Sequence, residues 1–332
     1  MQGKNNIAKA AIFVALAAAV LAWPVTVGFI MPADPKDTEP RAVTIQKGTG
    51  TSGIAGMLES EGIISSETAF KIFVKITGKD GKLKYGNYEM APSETLWQIV
   101  LKLEKGIQKT IKLTVPEGYT AKQIAARAES LGITAYDDFM ELVEKPTEEL
   151  KRLIPFEVSG SLEGFLFPDT YDFTADTDAK TVISNMLRNF ADKVGEEISS
   201  NLKVDLKPEQ VVILASIVEK ETLLQSELPI VAGVFMNRLR KSMALQSCST
   251  VQYVLPQPKP VLSKEDTLID SPYNTYLIQG LPPGAISNPG KSAIEAVLEP
   301  AVHNYLYFVS NGDGSQTFSR TYAEHLRAKQ SK

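Results

Sequence analysis

Apolar residues recur at helical spacing along most of this chain, and short alternating stretches and glycine turns separate the runs. Between Val43 and Gly106 the pattern predicts a small mixed unit. "AVTIQKGTG" reads as a strand and a turn. "SGIAGMLESEGII" places Ile54, Met57 and Leu58 on one helical face and stops at Gly62, and "ETAFKIFVKITG" predicts a second helix stopped by Gly78. "KYGNYEM" reads as a short strand. "SETLWQIVLKLEKG" predicts a helix capped by Ser93, with Leu96, Ile99, Val100 and Leu103 on one side. "TIKLTVPEGYTAKQIAARAESLGI" then repeats an earlier order: strand, glycine turn, a Ser/Thr cap at Thr120, an Ile-Ala pair and a closing Gly-Ile.

Further on, helices are expected over Asp137–Val143, over Thr147–Leu153 and from about Thr177 to Ala191. Another runs through "VVILASIVEKE", with Pro208 in its first turn. "ELPIVAGVFMNRLRKSMALQS" predicts an amphipathic helix ending near Met243. "YNTYLIQGLPPGAISNPGKSAIEAVLEPA" is dense in Pro and Gly and reads as a long shaped loop. "YLYFVS" reads as a buried strand, and "NGDGSQTFSRTYAEHLRA" as a turn, a short strand and a terminal helix. The class is α+β, and 332 residues suit two domains.

The first residues change the picture. Ala10 to Met31 carry no charge, a length that suits a bilayer span of roughly 20 apolar residues. Lys4 and Lys9 precede this run and Asp34, Asp37 and Glu39 follow it, so the positive-inside rule puts the short tail in the cytoplasm and the rest outside. A cleaved signal peptide is the alternative, with a shorter apolar core than this one. "PADPKDTEPR" is an extended linker. The expected division is a tail over 1–9, an anchor over 10–31, a linker over 32–42, a small subdomain over 43–107 and a larger domain over 108–330.

Charge and inventory exclude several chemistries. A net charge of -4 leaves no basic excess for nucleic acid. Cys248 is the only cysteine and His303 and His325 the only histidines, which argues against a disulfide or a zinc site. No G-x-S-x-G, dinucleotide fingerprint, Walker loop or H-E-x-x-H is present. Carboxylates remain, and no metal or cofactor is expected. "SLEGFLFPDTYDF" interleaves Glu163, Asp169 and Asp172 with aromatics. Such a loop suits sugar stacking, and it suits core packing as well. "ASIVEKET" ends the most apolar helix on two acids. At about 100° per residue, Glu219 falls between Ala215 and Val212, and Glu221 between Ile217 and Leu214. Periodicity does not choose between them. Glu221 lies nearer the helix end, where a side chain can open into a cleft. Poor hydration there favours the protonated form that a general acid needs. Glycan cleavage can run on carboxyl groups alone. An ectodomain that only binds is the competing class.

Several stretches together, "LEGFLFPDTYDF", "ASIVEKET", "VAGVFMNRLRKSMALQS", "YNTYLIQGLPPGAISNPG" and "YLYFV", resemble in order the membrane-anchored endolytic murein transglycosylases, the MltG/YceG-like family. The resemblance implies a LysM-like subdomain before a catalytic domain, and a single-pass protein of the bacterial inner membrane with its enzyme domain outside the cytoplasm. It implies cleavage of the N-acetylmuramic acid–β-1,4–N-acetylglucosamine bond in peptidoglycan, leaving 1,6-anhydro ends, and peptidoglycan synthases as partners. Glu221 is then the essential acid, with Glu219 and Glu163 supporting it. Asn237, Arg238, Gln246, Tyr273, Asn274 and Asn288 are the expected ligands of sugar hydroxyls and acetamido groups. Two places depart from the family pattern: Cys248-Ser249 stand where Asp-Pro is usual, and Gln316 stands where His is usual. A catalytically weak glycan-binding scaffold is the alternative that these departures favour. A hydrolase giving reducing ends is the third.

Overall fold

The computed structural model describes residues 31–106, 109–200 and 203–331. The stretch read as a tail and, Met31 excepted, the stretch read as an anchor lie outside the described residues. Among the described residues no helix is long and apolar enough to cross a membrane. The chain divides into two compact units, the second beginning at Ile111. Each is a mixture of helices with a small amount of sheet.

The first unit runs β1 (Arg41–Ile45), α1 (Thr51–Ser60), α2 (Glu67–Ile76), β2 (Gly86–Met90) and α3 (Leu96–Lys105). β1 and β2 pair antiparallel, with Val43 opposite Tyr88. Val43, Ile45, Tyr88 and Met90 are buried while Thr44 and Glu89 face outward, the two-residue alternation of a half-covered strand pair. Ile54, Leu58, Phe70, Val74, Ile99 and Leu103 from the three helices close the core. Thr95, not Ser93, caps α3. Its Oγ accepts from Gln98 N at 3.3 Å while Gln98 Oε1 accepts from Thr95 N at 2.9 Å. The third residue after Ser93 is Leu96, which can return no such bond, so the reciprocal cap forms one step on.

The second unit opens with β3 (Ile111–Thr114), α4 (Ala121–Ser130) and α5 (Tyr136–Glu144), followed by β4 (Thr170–Phe173) and α6 (Ala179–Phe190). β3 pairs antiparallel with β4. At its centre lie α7 (Pro208–Glu221), α8 (Leu228–Arg240), α9 (Cys248–Val254) and α10 (Lys291–Leu298). The hairpin β5 (Tyr307–Ser310) and β6 (Gln316–Ser319) and then α11 (Tyr322–Gln330) complete it. Every residue of α7 from Val211 to Val218 is buried, with α8 and α10 packed on it. That is why its sequence is apolar all round rather than on one stripe. α8 stops at Arg240, short of Met243, and α9 occupies a stretch with no expected element. β5 is half-buried rather than buried; its Phe308 meets Phe235 of α8 edge-on at 5.7 Å.

The loop over 161–173 turns into the core. Phe165, Leu166 and Phe167 are buried, and Gly164 adopts φ 96°. A side chain at Gly164 would put its Cβ 2.5 Å from Ala285 Cβ and 3.0 Å from Val212 Cγ1, so this close approach of loop to α7 requires glycine.

Candidate active site

α7 carries the two acids to the surface from the middle of the core. Pro208 occupies its first turn, where a missing N–H costs nothing. Ser216, fully buried, donates to Ile213 O at 2.7 Å and accepts from Ile286 N at 3.0 Å. Ser287 Oγ donates to Ser216 O at 3.1 Å. The helix is thus stitched to the loop that precedes α10. It ends at Glu221 because Thr222 turns extended, with φ -139° and ψ 145°. The last carbonyls of a helix lack intrahelical donors. The Glu221 carbonyl receives one from Gln316 Nε2 at 2.9 Å.

Glu221 is half-buried. Its Oε1 accepts from the hydroxyls of Ser247 and Ser249, the latter at 2.8 Å, and the two hydroxyls lie 2.6 Å apart. Ser247 stands at the N-cap of α9, yet its hydroxyl makes no cap bond and turns to Glu221 instead. A buried threonine pair holds it there. Ser247 N donates to Thr275 Oγ1 at 3.0 Å, and Thr250 Oγ1 donates to Ser247 O at 2.8 Å and lies 2.8 Å from Thr275 Oγ1. The sequence singles out Ser249 only as a departure from the family pattern, and Ser247, Thr250 and Thr275 not at all. The polar run Ser247-Cys248-Ser249-Thr250 was the available signal.

Two cavities, of about 420 and about 400 Å³, meet at Glu221; both are lined by Glu221, Ser310 and Gln316. The first continues past Arg238, Gln246, Cys248, Tyr276 and Tyr307. The second continues past Glu117, Glu219, Lys220 and Leu223. Glu219 Oε2 accepts from Gly290 N at 3.0 Å. Burial pushes the Glu219 carboxyl above the usual carboxylate range, against the pull of that N–H and with a further push from the nearby charge of Glu117. Gln246 sits on the first cavity wall in a left-handed backbone conformation, φ 48°, held by its N–H on Thr275 O at 2.9 Å. Among the described residues no three His, Cys, Asp or Glu side chains group as a metal site would need.

The structure brings Glu221, Glu219, Arg238 and Gln246 to the cleft and sends the other expected residues elsewhere. Asn274 and Asn288 are fully enclosed. Asn274 Nδ2 donates to Thr267 O and Ile269 O, and its Oδ1 accepts from Tyr276 N, so its amide shapes its own loop. Asn288 Oδ1 accepts from Gly164 N and Leu166 N, each at 2.9 Å, and its Nδ2 donates to Tyr119 O and Glu163 Oε1. A buried amide with its capacity filled in this way has nothing left for a sugar. Asn237 Nδ2 donates to His303 O and Tyr305 O. Tyr273 packs on Tyr253 with ring centroids 5.1 Å apart and lines neither cavity. Arg238 lines the first cavity, but its Nε and Nη1 donate to Leu306 O, Ala244 O and Leu245 O. Glu163 is buried behind the cleft, where both its oxygens accept from Ala121 N, the first N–H of α4, at 3.0 Å.

A family model described as the YceG-like family matches residues 43–331. The chain belongs to the YceG-like family. An endolytic murein transglycosylase of Bacillus subtilis is 34% identical over 301 residues, covering 87% of this chain and 83% of its own length. One from Streptococcus pneumoniae is 29% identical over 336 residues; that match covers 90% of this chain and 61% of the pneumococcal protein. The crystal structure of a yceG-like protein from Listeria monocytogenes is 34% identical and superposes with a TM-score of 0.60, over 87% of this chain and 99% of that one.

Both departures of this YceG-like chain lie at the cleft. Ser249 supplies one of the two hydroxyls on Glu221. Cys248 Sγ lies 3.0 Å from Tyr276 Oη. Gln316 bonds the end of α7.

Glu163 gives a pH prediction. Burial raises its carboxyl from 4.5 to about 7, with the Ala121 N–H, Tyr253 and Asn288 pulling the other way. The folded protein therefore holds this proton more tightly than the unfolded chain does. The resulting stability is full below the unfolded value and is lost as pH rises towards about 7. Glu163→Gln lacks this titration. Its stability relative to wild type should rise by about 3 kcal/mol between about pH 4.5 and about pH 7.5, read from denaturant unfolding at each pH. Parallel stability curves for the two proteins would contradict it.

Proposed function

We propose that this chain is an endolytic peptidoglycan lytic transglycosylase, cutting the N-acetylmuramic acid–β-1,4–N-acetylglucosamine bond and closing the muramyl residue into its 1,6-anhydro form. The observation that carries this is the position of Glu221. It ends a buried helix on the wall shared by two cavities, with one oxygen held by two serine hydroxyls. Among the described residues nothing donates to its other oxygen. Glu219 lines only one cavity and is engaged by the Gly290 N–H, so Glu221 is the better placed acid.

Protonated Glu221 gives its hydrogen to the glycosidic oxygen as the C1–O bond breaks, and positive charge develops on the muramyl ring. The carboxylate that remains takes the proton from the muramyl C6 hydroxyl, whose oxygen bonds to C1. The acid is thereby regenerated and no water is consumed. One carboxyl acts as acid and then base, and the tethered hydroxyl supplies the proximity that a second carboxylate and a water supply in hydrolases. The two serine hydroxyls point at the oxygen on which charge appears when the proton leaves, and they are preorganised by Thr250 and Thr275.

The first unit suits a LysM-like glycan contact, supported by its strand–helix–helix–strand order before α3. The uncharged run over 10–31 suits an anchor in the cytoplasmic membrane, with the catalytic unit outside and peptidoglycan synthases within reach. Purified full chain incubated with isolated peptidoglycan should release fragments ending in anhydromuramic acid, lighter by one water than hydrolase products on mass analysis. Reducing ends would instead make it a hydrolase, and binding without products would make it a scaffold.

A further inference from the structure

We infer that Gln316 is a substrate-positioning residue whose amide oxygen accepts a hydrogen bond from an N–H or O–H of the sugar at the cleavage point. This rests on the proposed reaction. Gln316 opens β6, opposite Ser310 in the hairpin, and both residues line both cavities at their meeting point beside Glu221. Its backbone N–H donates to Glu227 Oε1 at 3.0 Å, which fixes the start of the strand. Its Nε2 donates to the Glu221 carbonyl at 2.9 Å. A carbonyl can only accept, so the amide cannot be turned over without setting oxygen against oxygen. Its Oε1 is therefore committed to the opposite side.

That oxygen is enclosed and has no hydrogen-bond partner. A buried acceptor left without a donor costs more than an average hydrogen bond returns, so such atoms call for an explanation. Every other polar group bonded to Glu221 finds a partner within the protein: the Ser247 and Ser249 hydroxyls donate to Oε1, and the Glu221 carbonyl has Gln316. The residue that carries this orphan lines both cavities at their meeting point, where a bound glycan must lie if Glu221 is to reach the glycosidic oxygen. Sugars offer donors there in the acetamido N–H and the ring hydroxyls. Gln316 thus couples two tasks, holding the end of the catalytic helix with its nitrogen and the substrate with its oxygen.

The two tasks separate experimentally. A neutral imidazole carries the same pair, one donor and one acceptor, whereas an imidazolium carries two donors. In Gln316→His the bond to the Glu221 carbonyl survives protonation, but the acceptor is lost. The ratio of its kcat/KM to that of wild type, measured by anhydro-end release from isolated glycan strands, should lie within about threefold of one near pH 8 and fall by about tenfold near pH 5.5. Gln316→Leu, which loses both the bond to the Glu221 carbonyl and the acceptor, should lose at least about tenfold at every pH and melt somewhat below wild type. On de-N-acetylated strands the Gln316→Leu penalty changes if the acetamido N–H is the donor and is unchanged if a hydroxyl is; either result assigns the partner. A Gln316→His ratio flat with pH, or a Gln316→Leu enzyme as fast as wild type, overturns the inference while wild-type cleavage leaves the reaction itself standing. A wild type that makes no anhydro ends overturns both.

Discussion

Glu221→Gln should leave the fold intact and cut the yield of anhydro ends by about a thousandfold, the scale expected when a positioned proton donor is removed. The substitution changes one atom. The amide oxygen still accepts from Ser247 and Ser249, and no neighbour is crowded, so the unfolding transition should stay where wild type has it. What disappears is the proton that the glycosidic oxygen needs and the base that the C6 hydroxyl needs, both supplied by one group. Loss should therefore fall on kcat, with strand binding retained. Glu219→Gln is the informative companion. Its carboxyl lies along one cavity and bonds Gly290 N, so its loss should weaken turnover far less. Mass analysis of digested peptidoglycan with all three proteins checks this. A Glu221→Gln enzyme cutting at the wild-type rate would remove the central claim, and a Glu219→Gln enzyme with the larger defect would move the acid two residues up the helix.

Much of this geometry is local and was legible in the sequence. Pro208, the unbroken apolar run and the two terminal acids specify α7, and the Thr120 cap with Gln123 three residues later specifies the start of α4. The serine shelf was not legible, because Ser247 and Ser249 meet Glu221 across 26 and 28 residues of chain and no periodicity encodes that meeting. Gln316 reaches the same helix end across 95 residues. Glu163 misled for a related reason. An acid among aromatics has the same pattern whether the aromatics stack on a sugar or on each other. Here Phe165 packs edge-on with Phe190 at 5.3 Å, and the acid is buried because the first N–H of α4 and the Asn288 amide both require an acceptor. The chemistry that suits asparagine to a sugar serves loops equally well: an amide long enough to bridge a hydroxyl is long enough to bridge two backbone segments.

Asn288 shows how much rests on one such bridge, and Asn288→Ala should be the most destabilising of these substitutions. Its side chain ties two segments: the loop over 163–166 through Gly164 N, Leu166 N and the Glu163 carboxylate, and the turn before α4 through Tyr119 O. Its backbone adds N–H to Tyr119 O and receives Gly118 N, both at 2.8 Å. Alanine keeps the backbone pair, and with it a donor to Tyr119 O, but strands the buried N–H groups of Gly164 and Leu166. Each stranded group costs roughly 1–3 kcal/mol, and a shared network loses less than the sum, so a loss of about 3–5 kcal/mol is expected. For a unit of this size that lowers the melting temperature by on the order of 10 °C. Asn288→Asp is the sharper test. It keeps an acceptor for Gly164 and Leu166, but it turns a second oxygen toward the Tyr119 carbonyl and the Glu163 carboxyl, where the amide had donated. It should be at least as unstable as alanine near neutral pH, although it restores the lost volume. The loop that carries Asn288 also delivers Gly290 N to Glu219 and Ile286 N to Ser216 of α7, so the second cavity should loosen with it and activity should fall below what stability alone predicts. Thermal melts of both variants beside cleavage rates well below their transitions decide the matter. An Asn288→Asp protein as stable as wild type would mean that the amide nitrogen holds nothing, and the assignment of this residue to the frame behind the cleft would fail.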